Sequence, residues 1–286
     1  MNKPMDDKRF FCLRGFMKSG TNWLGSLLDN HPEVSCQGEY HWQETIGPLH
    51  SRNTKSSMLQ DDTFRRFAIA RFEGAVKRCL LHGIKPTAKV IGDRTPHTLA
   101  PVILRNTPHI SIIRDGRDIL VSRAFHLFNN PQVSRLFQRN VQAAKDLEEF
   151  QQDPWYFSKQ PAALLRHEEI VCDTARWWRQ HLEMDRRTVE IHTRLPVRFV
   201  KYEELHQRTL ELTNELLEFL GVDPQMAPPL TGKLLPGFEQ ERPNEFFRKG
   251  AVGDWRNYFD DRARQWFKFE VQDELKIQGY ESGDDW

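Results

Sequence analysis

A lysine lies in a short loop bounded by glycines, the segment GFMKSGTNW at residues 15–23. Glycines allow the backbone to turn tightly, so that successive amide N–H groups point toward one place. Lys18, Ser19 and Thr21 add an ammonium group and two hydroxyls to the same loop. These residue types in this order predict a site that binds an anion such as a phosphate.

Two other interpretations of this loop remain open. A simple strand-to-helix turn would use Ser19 or Thr21 as a helix cap, but it would not need a lysine. In the nucleotide-triphosphate P-loop, G-x-x-x-x-G-K-[ST], the lysine follows the last glycine and the hydroxyl binds magnesium. Here Thr21 follows Gly20, and Lys18 lies two positions before that glycine. This order favours a donor with fewer phosphates and no metal over a metal-bound triphosphate.

A second basic group occurs in the segment RDGRDILVS at residues 114–122. Arg114 stands at a predicted strand end, where a guanidinium can donate two parallel hydrogen bonds to an oxyanion. Ser122 lies on the predicted helix that follows, and its hydroxyl can reach the same anion. Asp118 is assigned a structural role, because carboxylates stabilise helix N-termini. A surface arginine before a helix-start aspartate is the alternative.

A third basic group, Arg248 and Lys249, precedes Gly250 in a segment rich in glycine, proline and aromatic residues. Such a composition predicts a loop, and the glycine lets the backbone approach a ligand closely. Alone, this segment is a basic surface loop. Together with the other two motifs it predicts a third side of an anion pocket.

The three motifs need a scaffold that brings strand ends next to helix starts. Short apolar runs predict strands at residues 9–14, 88–92, 109–114 and 197–202. Helical spacing of apolar residues predicts helices at residues 21–30, 64–81, 118–128, 173–184 and 207–220. Residues 130–161 are predicted to form one helix and a loop. Strands that alternate with helices indicate an α/β fold with a central parallel sheet flanked by helices and a P-loop-like strand-loop-helix.

The composition excludes several classes of protein. The 286 residues include 41 Lys and Arg against 40 Asp and Glu, and this net charge of +1 argues against nucleic-acid binding. No linker or repeat divides the chain, so we predict one domain over residues 1–286. No apolar stretch has the length of a membrane span or a signal peptide, and the four cysteines suggest neither a zinc site nor a disulfide framework. We therefore expect a metal-free cytoplasmic protein.

In this order, the three motifs resemble those of the sulfotransferases that use 3′-phosphoadenosine 5′-phosphosulfate (PAPS). The resemblance covers roughly residues 10–260 and lies in KSGTNW at 18–23, RDGRDILVS at 114–122, and RKG with GDW at 248–255. It implies a single α/β domain. It also implies in-line transfer of the sulfuryl group from PAPS to a hydroxyl acceptor.

The resemblance assigns a role to each motif. The first loop would hold the 5′-phosphosulfate through Lys18, Ser19, Gly20, Thr21, Asn22 and Trp23. The 3′-phosphate would be held by Arg114, Ser122, Arg248, Lys249 and Gly250. Tyr202 corresponds to the family residue at the adenine, with Trp23 on the same ring.

The family divides over its catalytic base, and this sequence resembles one branch more closely. The cytosolic small-molecule enzymes carry a histidine in a Lys-Thr-His-x-Pro stretch, whereas Arg94 stands at the matching position of GDRTP at 92–96. In protein-tyrosine and several bacterial and Golgi-type relatives, a glutamate follows a His-Pro turn, and Glu39 stands at that position after residues 31–32. In this comparison, Arg94 resembles the cation that those relatives carry at the matching stretch. His41 is the competing base, because imidazole is a suitable base near neutral pH.

The acceptor is not identified by these motifs. Candidates for an acceptor cleft are Trp42, His41, Phe125, Phe128 and the aromatic run at 155–157, although aromatic side chains are more often core residues. Two functions of other classes stay open. One is a magnesium-dependent P-loop nucleotide kinase, and the other is a module that binds the nucleotide without turnover.

Overall fold

Five parallel strands form one sheet in the described part of the chain. The structure is a computed structural model that describes residues 7–42, 44, 61–99, 101, 104–237, 241–245, 248–283 and 286. The strands are β1 (Arg9–Gly15), β2 (Val34–Gln37), β3 (Val90–Arg94), β4 (His109–Ile113) and β5 (Val197–Lys201), in the order β2-β3-β1-β4-β5. The predicted α/β fold with a central parallel sheet is confirmed.

The strand order places the lysine-containing loop where a parallel sheet binds ligands. After β1 the chain forms β2 and β3 on one side of β1. It then crosses over and forms β4 on the other side of β1. Ligands of open α/β sheets bind at the carboxyl ends of the strands where the order reverses in this way. The loop that joins β1 to the first helix, α1 (Thr21–Asp29), begins at this point.

Helices cover both faces of the sheet, and side chains along β1 alternate between the two faces. Phe11 and Leu13 belong to the apolar cluster that includes residues of α1 and of α10 (Thr209–Phe219). Phe10 and Cys12 belong to the cluster on the other face, with residues of α2 (Asp62–Leu80). All four side chains are buried. A strand buried on both faces is apolar throughout, which explains why the sequence shows it as a continuous apolar run.

A fully buried ion pair joins β1 to β3. Nη2 of Arg14 lies 2.6 Å from Oδ2 of Asp93, and Nη1 donates to the carbonyl of the same residue at 2.7 Å. The hydroxyl of Thr95 donates to the other carboxylate oxygen at 2.9 Å. Arg14 directly precedes Gly15, and Asp93 directly precedes Arg94. The pair therefore holds together the two strand ends from which the lysine-containing loop and Arg94 extend.

The chain divides into two compact units. The first, Met1–Ile113 and Met184–Leu235, contains the whole sheet with α1, α2, α9 (Tyr202–Gln207) and α10. The second is Arg114–Glu183 and Pro236–Trp286. It contains α3 (Gly116–Asn129), α4 (Leu136–Arg139), α5 (Val141–Gln152), α6 (Tyr156–Lys159), α7 (Pro161–Leu164), α11 (Asp261–Val271) and α12 (Glu274–Ile277). Helix α8 (Glu168–Ile191) contributes to both. That the chain is a single domain stays a prediction.

The second unit has an aromatic core. Phe125 and Phe128 of α3 pack against Phe150 and Phe157, with ring centroids 4.6 to 6.2 Å apart. All four rings are buried. Phe125, Phe128 and Phe157 are therefore core residues, as aromatic side chains more often are.

Several element boundaries differ from the sequence-based expectation. Strand β3 begins two residues later than predicted and includes Arg94. Strand β2 lies where the sequence predicts no strand, because its four residues alternate polar with apolar and form no apolar run. The predicted helix at 207–220 corresponds to α10, and the separate short helix α9 precedes it. Residues 130–161 contain a 3₁₀ turn at Pro131–Val133 and the helices α4 to α6 in place of one helix and a loop, and α7 begins at Pro161. Among the described helices, none is both long and apolar enough to cross a bilayer.

The four cysteines are free thiols, and two of them lie inside the sheet. Burial raises the pKa of Cys12 to about 11 and that of Cys36 to about 12. Both thiols therefore stay protonated at neutral pH and pack as small apolar side chains.

Candidate functional site

The loop between β1 and α1 forms an anion cradle. Lys18 and Gly20 have left-handed backbone conformations, with φ of 67° and 100°. Gly20 is the N-cap residue of α1, and no side chain caps this helix. The first amide groups of α1 therefore have no partner within the helix, and the hydroxyl of Ser19 is buried without a hydrogen-bond partner among the described residues. Uncapped amides, the helix dipole and a lysine together attract an anion.

This geometry also bears on the alternative that the loop is a simple strand-to-helix turn with a side-chain cap. Thr21 is the first residue of α1 and is buried, and neither its hydroxyl nor that of Ser19 caps the helix. The interpretation of the loop as a turn capped by one of these side chains is therefore wrong.

An aromatic group packs against the same loop. A Cβ on Gly20 would lie 2.7 Å from Cδ2 of Tyr202, so only glycine fits between the helix start and this buried ring. Trp23 meets Tyr202 edge-on at 5.5 Å, and its indole N–H donates to the carbonyl of Leu234 at 3.0 Å. His206, one turn after Tyr202 in α9, lies 6.2 Å from Trp23. The sequence analysis missed His206, which its i, i+4 spacing from Tyr202 indicates.

In the second unit, a loop carrying three of the predicted residues is fixed to α3. Nη2 of Arg114 donates to the carbonyl of Ala251 at 2.8 Å. The carboxylate of Asp118 accepts the amide N–H groups of Gly253 at 2.7 Å and Trp255 at 2.9 Å. The structural role predicted for Asp118 is thus confirmed. These contacts hold the loop that contains Arg248, Lys249 and Gly250 beside Arg114.

Two carboxylates neutralise the cations of this loop. Arg248 forms ion pairs with Glu241 and Asp254, and its guanidinium lies over the ring of Phe125 at 4.3 Å. Nζ of Lys249 lies 2.7 Å from Oδ1 of Asp254 and 3.7 Å from Oε2 of Glu241. Burial opposes ionisation of Asp254, but the charge of Arg248 keeps its pKa below the usual value. A phosphate at this position has to compete with these carboxylates.

The two candidate bases are neighbours after β2. The carboxylate of Glu39 is 38% exposed and lies 3.9 Å from Nε2 of His41. Nδ1 of His41 lies 3.1 Å from Oε1 of Glu44. Both side chains are partly exposed, 38% for Glu39 and 42% for His41, and a carboxylate or an imidazole can act as a general base.

Arg94 ends β3, and its side chain lies along α1. It lines a cavity of about 510 Å³ together with Ser26, Asp29, Asn30, Pro32, Cys36, Lys85 and Leu234. The ammonium group of Lys85 already has partners, since Nζ donates to the carbonyl of Val34 at 2.9 Å and lies 3.2 Å from Oδ2 of Asp29. Nε of Arg94 is buried without a hydrogen-bond partner among the described residues. Arg94 thus places a cation on the wall of this cavity.

The predicted residues are divided between the two units. Lys18 to Trp23, Arg94 and Tyr202 lie around α1 in the first unit, and Glu39 and His41 follow β2 in the same unit. In the second unit, Arg114 contacts the 248–255 loop, and Ser122 lies half-buried one turn after Asp118 on α3.

Comparisons with known proteins give a family for the chain. A family model described as a sulfotransferase domain matches residues 10–277. Cytosolic sulfotransferase 4 of Arabidopsis thaliana is 31% identical over 112 residues, which are 36% of this chain and 39% of that protein, so the match spans about two fifths of this curated relative. Mouse sulfotransferase SULT7A1 complexed with PAP is 17% identical, with 96% of this chain and 86% of that chain covered and a TM-score of 0.48. A sulfotransferase from Alicyclobacillus acidocaldarius is 14% identical, with 94% and 95% covered and a TM-score of 0.44. Because the family model covers nearly the whole length, this chain belongs to the sulfotransferase family.

Proposed function

We propose that this protein transfers the sulfuryl group of PAPS to a hydroxyl acceptor by in-line displacement. The observation that carries the proposal is the uncapped start of α1, with Lys18 in the loop before it and the buried hydroxyl of Ser19 without a partner among the described residues. Such a helix start supplies N–H donors and positive potential to sulfate and phosphate oxygens. Membership of the sulfotransferase family supports the same chemistry.

In this mechanism, cations of the chain stabilise the transferring group. PAPS, when bound, supplies a sulfuryl group whose bond to the 5′-phosphate oxygen breaks as the acceptor oxygen bonds to sulfur. Lys18 donates to the departing oxygen, and Arg94 offsets charge on the sulfuryl oxygens. One well-placed donor of this kind contributes about 3 kcal/mol to transition-state stabilisation. Glu39 accepts the proton of the acceptor hydroxyl, with His41 as the alternative base.

The remaining predicted residues bind the nucleotide in this proposal. Trp23 and Tyr202, joined by His206, form the aromatic group for the adenine. The 3′-phosphate binds to Arg114, Ser122, Arg248, Lys249 and Gly250. The proposal includes a cytoplasmic location, which is supported by the four free cysteines and by the relative named a cytosolic sulfotransferase.

A donor and acceptor screen tests the function. The protein is incubated with PAPS and a panel of alcohols, phenols, sugars and peptides in the presence of EDTA, and products are read by the mass of a sulfate ester. We expect ester formation, because the proposed mechanism uses cations of the chain and no metal. Magnesium-dependent phosphate transfer from ATP would support a kinase instead. Binding of 3′-phosphoadenosine 5′-phosphate (PAP) without transfer to any acceptor would support a binding module.

Replacement of Glu39 by glutamine is expected to lower kcat by about 10²- to 10⁴-fold, because the general base is lost. His41→Gln is expected to cause a smaller loss. Steady-state kinetics on both variants measures the difference.

Glu44→Gln is the matched control for the base, since Glu44 is an exposed carboxylate that also contacts His41. Its kcat is expected to stay close to that of the unmodified protein. A larger loss for His41→Gln than for Glu39→Gln would transfer the role of base to the histidine.

Replacement of Glu241 by glutamine is expected to tighten binding of PAP about fivefold, because the 3′-phosphate no longer competes with this carboxylate for Arg248 and Lys249. Isothermal titration calorimetry with PAP measures the change. Glu245→Gln is the matched control, because Glu245 forms an exposed ion pair with Arg242 at 3.2 Å in the same segment. Unchanged or weaker PAP binding by the Glu241 variant would contradict the assignment of Arg248 and Lys249 to the phosphate.

A further inference from the structure

We propose that Gly25 is a positioning residue that sets the direction of the Arg94 side chain. The inference rests on the proposed function, in which Arg94 acts on the transferring group. Gly25 lies four residues after Thr21 in α1 and is buried. It is therefore one helical turn from the anion cradle, at the point where Arg94 meets the helix.

The contact leaves no room for a side chain on Gly25. A Cβ at this position would lie 2.7 Å from Cδ of Arg94 and 3.4 Å from its Nη1. The next nearest atom, Cδ2 of Leu13, would be at an ordinary contact distance of 3.5 Å. Arg94 therefore occupies the space that any other residue in place of Gly25 would fill. Even a methyl group has to displace the arginine from its path along α1.

Backbone conformation does not explain why a glycine stands here. Gly25 lies within α1 and is not one of the glycines with positive φ. In a helix interior glycine is less favourable than alanine, because it loses more conformational freedom on folding. Gly74 in α2 shows the contrasting case, since outside the backbone of its own helix a Cβ there would meet no atom of the described residues within 4 Å. The close approach of Arg94 is the feature of this structure that requires glycine at position 25.

Arg94 depends on this packing for its direction. Among the described residues it forms no ion pair, and its Nε has no hydrogen-bond partner. The cavity of about 510 Å³ that it lines leaves space for other rotamers. An arginine side chain beside an open cavity keeps one conformation only where packing holds its aliphatic part. The missing side chain of Gly25 leaves the space in which that part of Arg94 is held.

The test is Gly25→Ala, measured by steady-state kinetics and thermal unfolding. Because a misplacement of about 1 Å at a reacting group can cost about 10²-fold in rate, we expect kcat to fall by about that factor. KM for PAPS should stay unchanged, since the loop that binds the donor is not altered. The midpoint of thermal unfolding should stay equal or rise, because alanine favours the helix. A purely structural defect would instead lower the unfolding midpoint together with the activity.

A double-mutant cycle with Arg94→Ala separates the inference from a general effect on α1. In the Arg94→Ala background, Gly25→Ala is expected to cause no further loss, because the side chain that it displaces is gone. Gly74→Ala is the matched control for the same substitution in another helix, and its kcat should equal that of the unmodified protein. An equal loss with and without the Arg94 side chain, or full kcat in the single Gly25 variant, would overturn the inference.

A crystal structure of the Gly25→Ala variant gives a readout that does not depend on activity. We expect the guanidinium of Arg94 to leave its position beside α1 while β3 and α1 keep their places. If the unmodified protein transfers no sulfate, the proposed function fails, yet this structure still tests the contact. An unmoved Arg94 in the variant would overturn the inference.

Discussion

Replacement of Lys18 by alanine is expected to lower kcat for sulfuryl transfer by about 10²- to 10³-fold. The estimate follows from the loss of one positioned donor to the departing oxygen, which is worth about 3 kcal/mol in the transition state. Lys18 lies in the turn before α1 with a left-handed backbone, and Gly20 two residues later is the N-cap of that helix, so the lysine belongs to the loop that forms the cradle. Radiolabelled sulfate transfer measures the rate, and circular dichroism shows whether the fold is kept.

Met17→Ala is the matched control for Lys18, because Met17 is its direct neighbour in the loop and is 40% exposed. That variant is expected to keep its rate. Lys18→Ala activity close to that of the unmodified protein would remove the main support for the proposed function. Loss of circular dichroism signal would instead indicate unfolding, and Lys18→Arg, which retains the charge, would then serve as the test.

Replacement of Asp93 by asparagine is expected to lower the free energy of unfolding by about 3 to 5 kcal/mol. The substitution leaves the guanidinium of Arg14 buried without its counter-charge, and breaking a buried ion pair from one side has this order of cost. Both side chains are fully buried, so water cannot replace the lost carboxylate charge. Urea denaturation followed by fluorescence and circular dichroism measures the change.

Glu211→Gln provides the comparison with an exposed pair. Glu211 pairs with Arg208 at 2.5 Å on the surface, and its loss should leave the stability nearly unchanged. Removal of both buried charges, in Arg14→Met with Asp93→Ala, should recover part of the stability lost in the single variant. If Asp93→Asn costs no more than Glu211→Gln, the buried pair does not stabilise the sheet as inferred.

Local interactions explain the parts of the site that could be predicted. The residues assigned to the anion are consecutive, from Lys18 to Trp23, so the lysine, Gly20 and the helix start can be interpreted from their order alone. The same holds for Arg114 and Asp118, which lie four residues apart at the start of one helix. Strands β1 and β4 were predictable because burial on both faces makes them apolar throughout.

Contacts between distant segments explain what could not be predicted. The ion pairs of Arg248 with Glu241 and Asp254 depend on how a loop closes, and its ring partner Phe125 is more than one hundred residues earlier in the chain. Strand β2 alternates polar with apolar residues over only four positions, which is too short for a recognisable period. The order of the strands in the sheet follows from crossover connections that no local pattern encodes.

The sequence by itself determined that the chain alternates strands with helices and carries a lysine-containing anion loop at a helix start, because hydrophobic period and glycine turns are properties of neighbouring residues. Only the tertiary structure decided that Tyr202 packs on Gly20, that Arg14 pairs with Asp93, and that Arg94 passes over Gly25. Each of these contacts joins residues from separate elements. They form only when burial of both faces of the sheet brings those elements together.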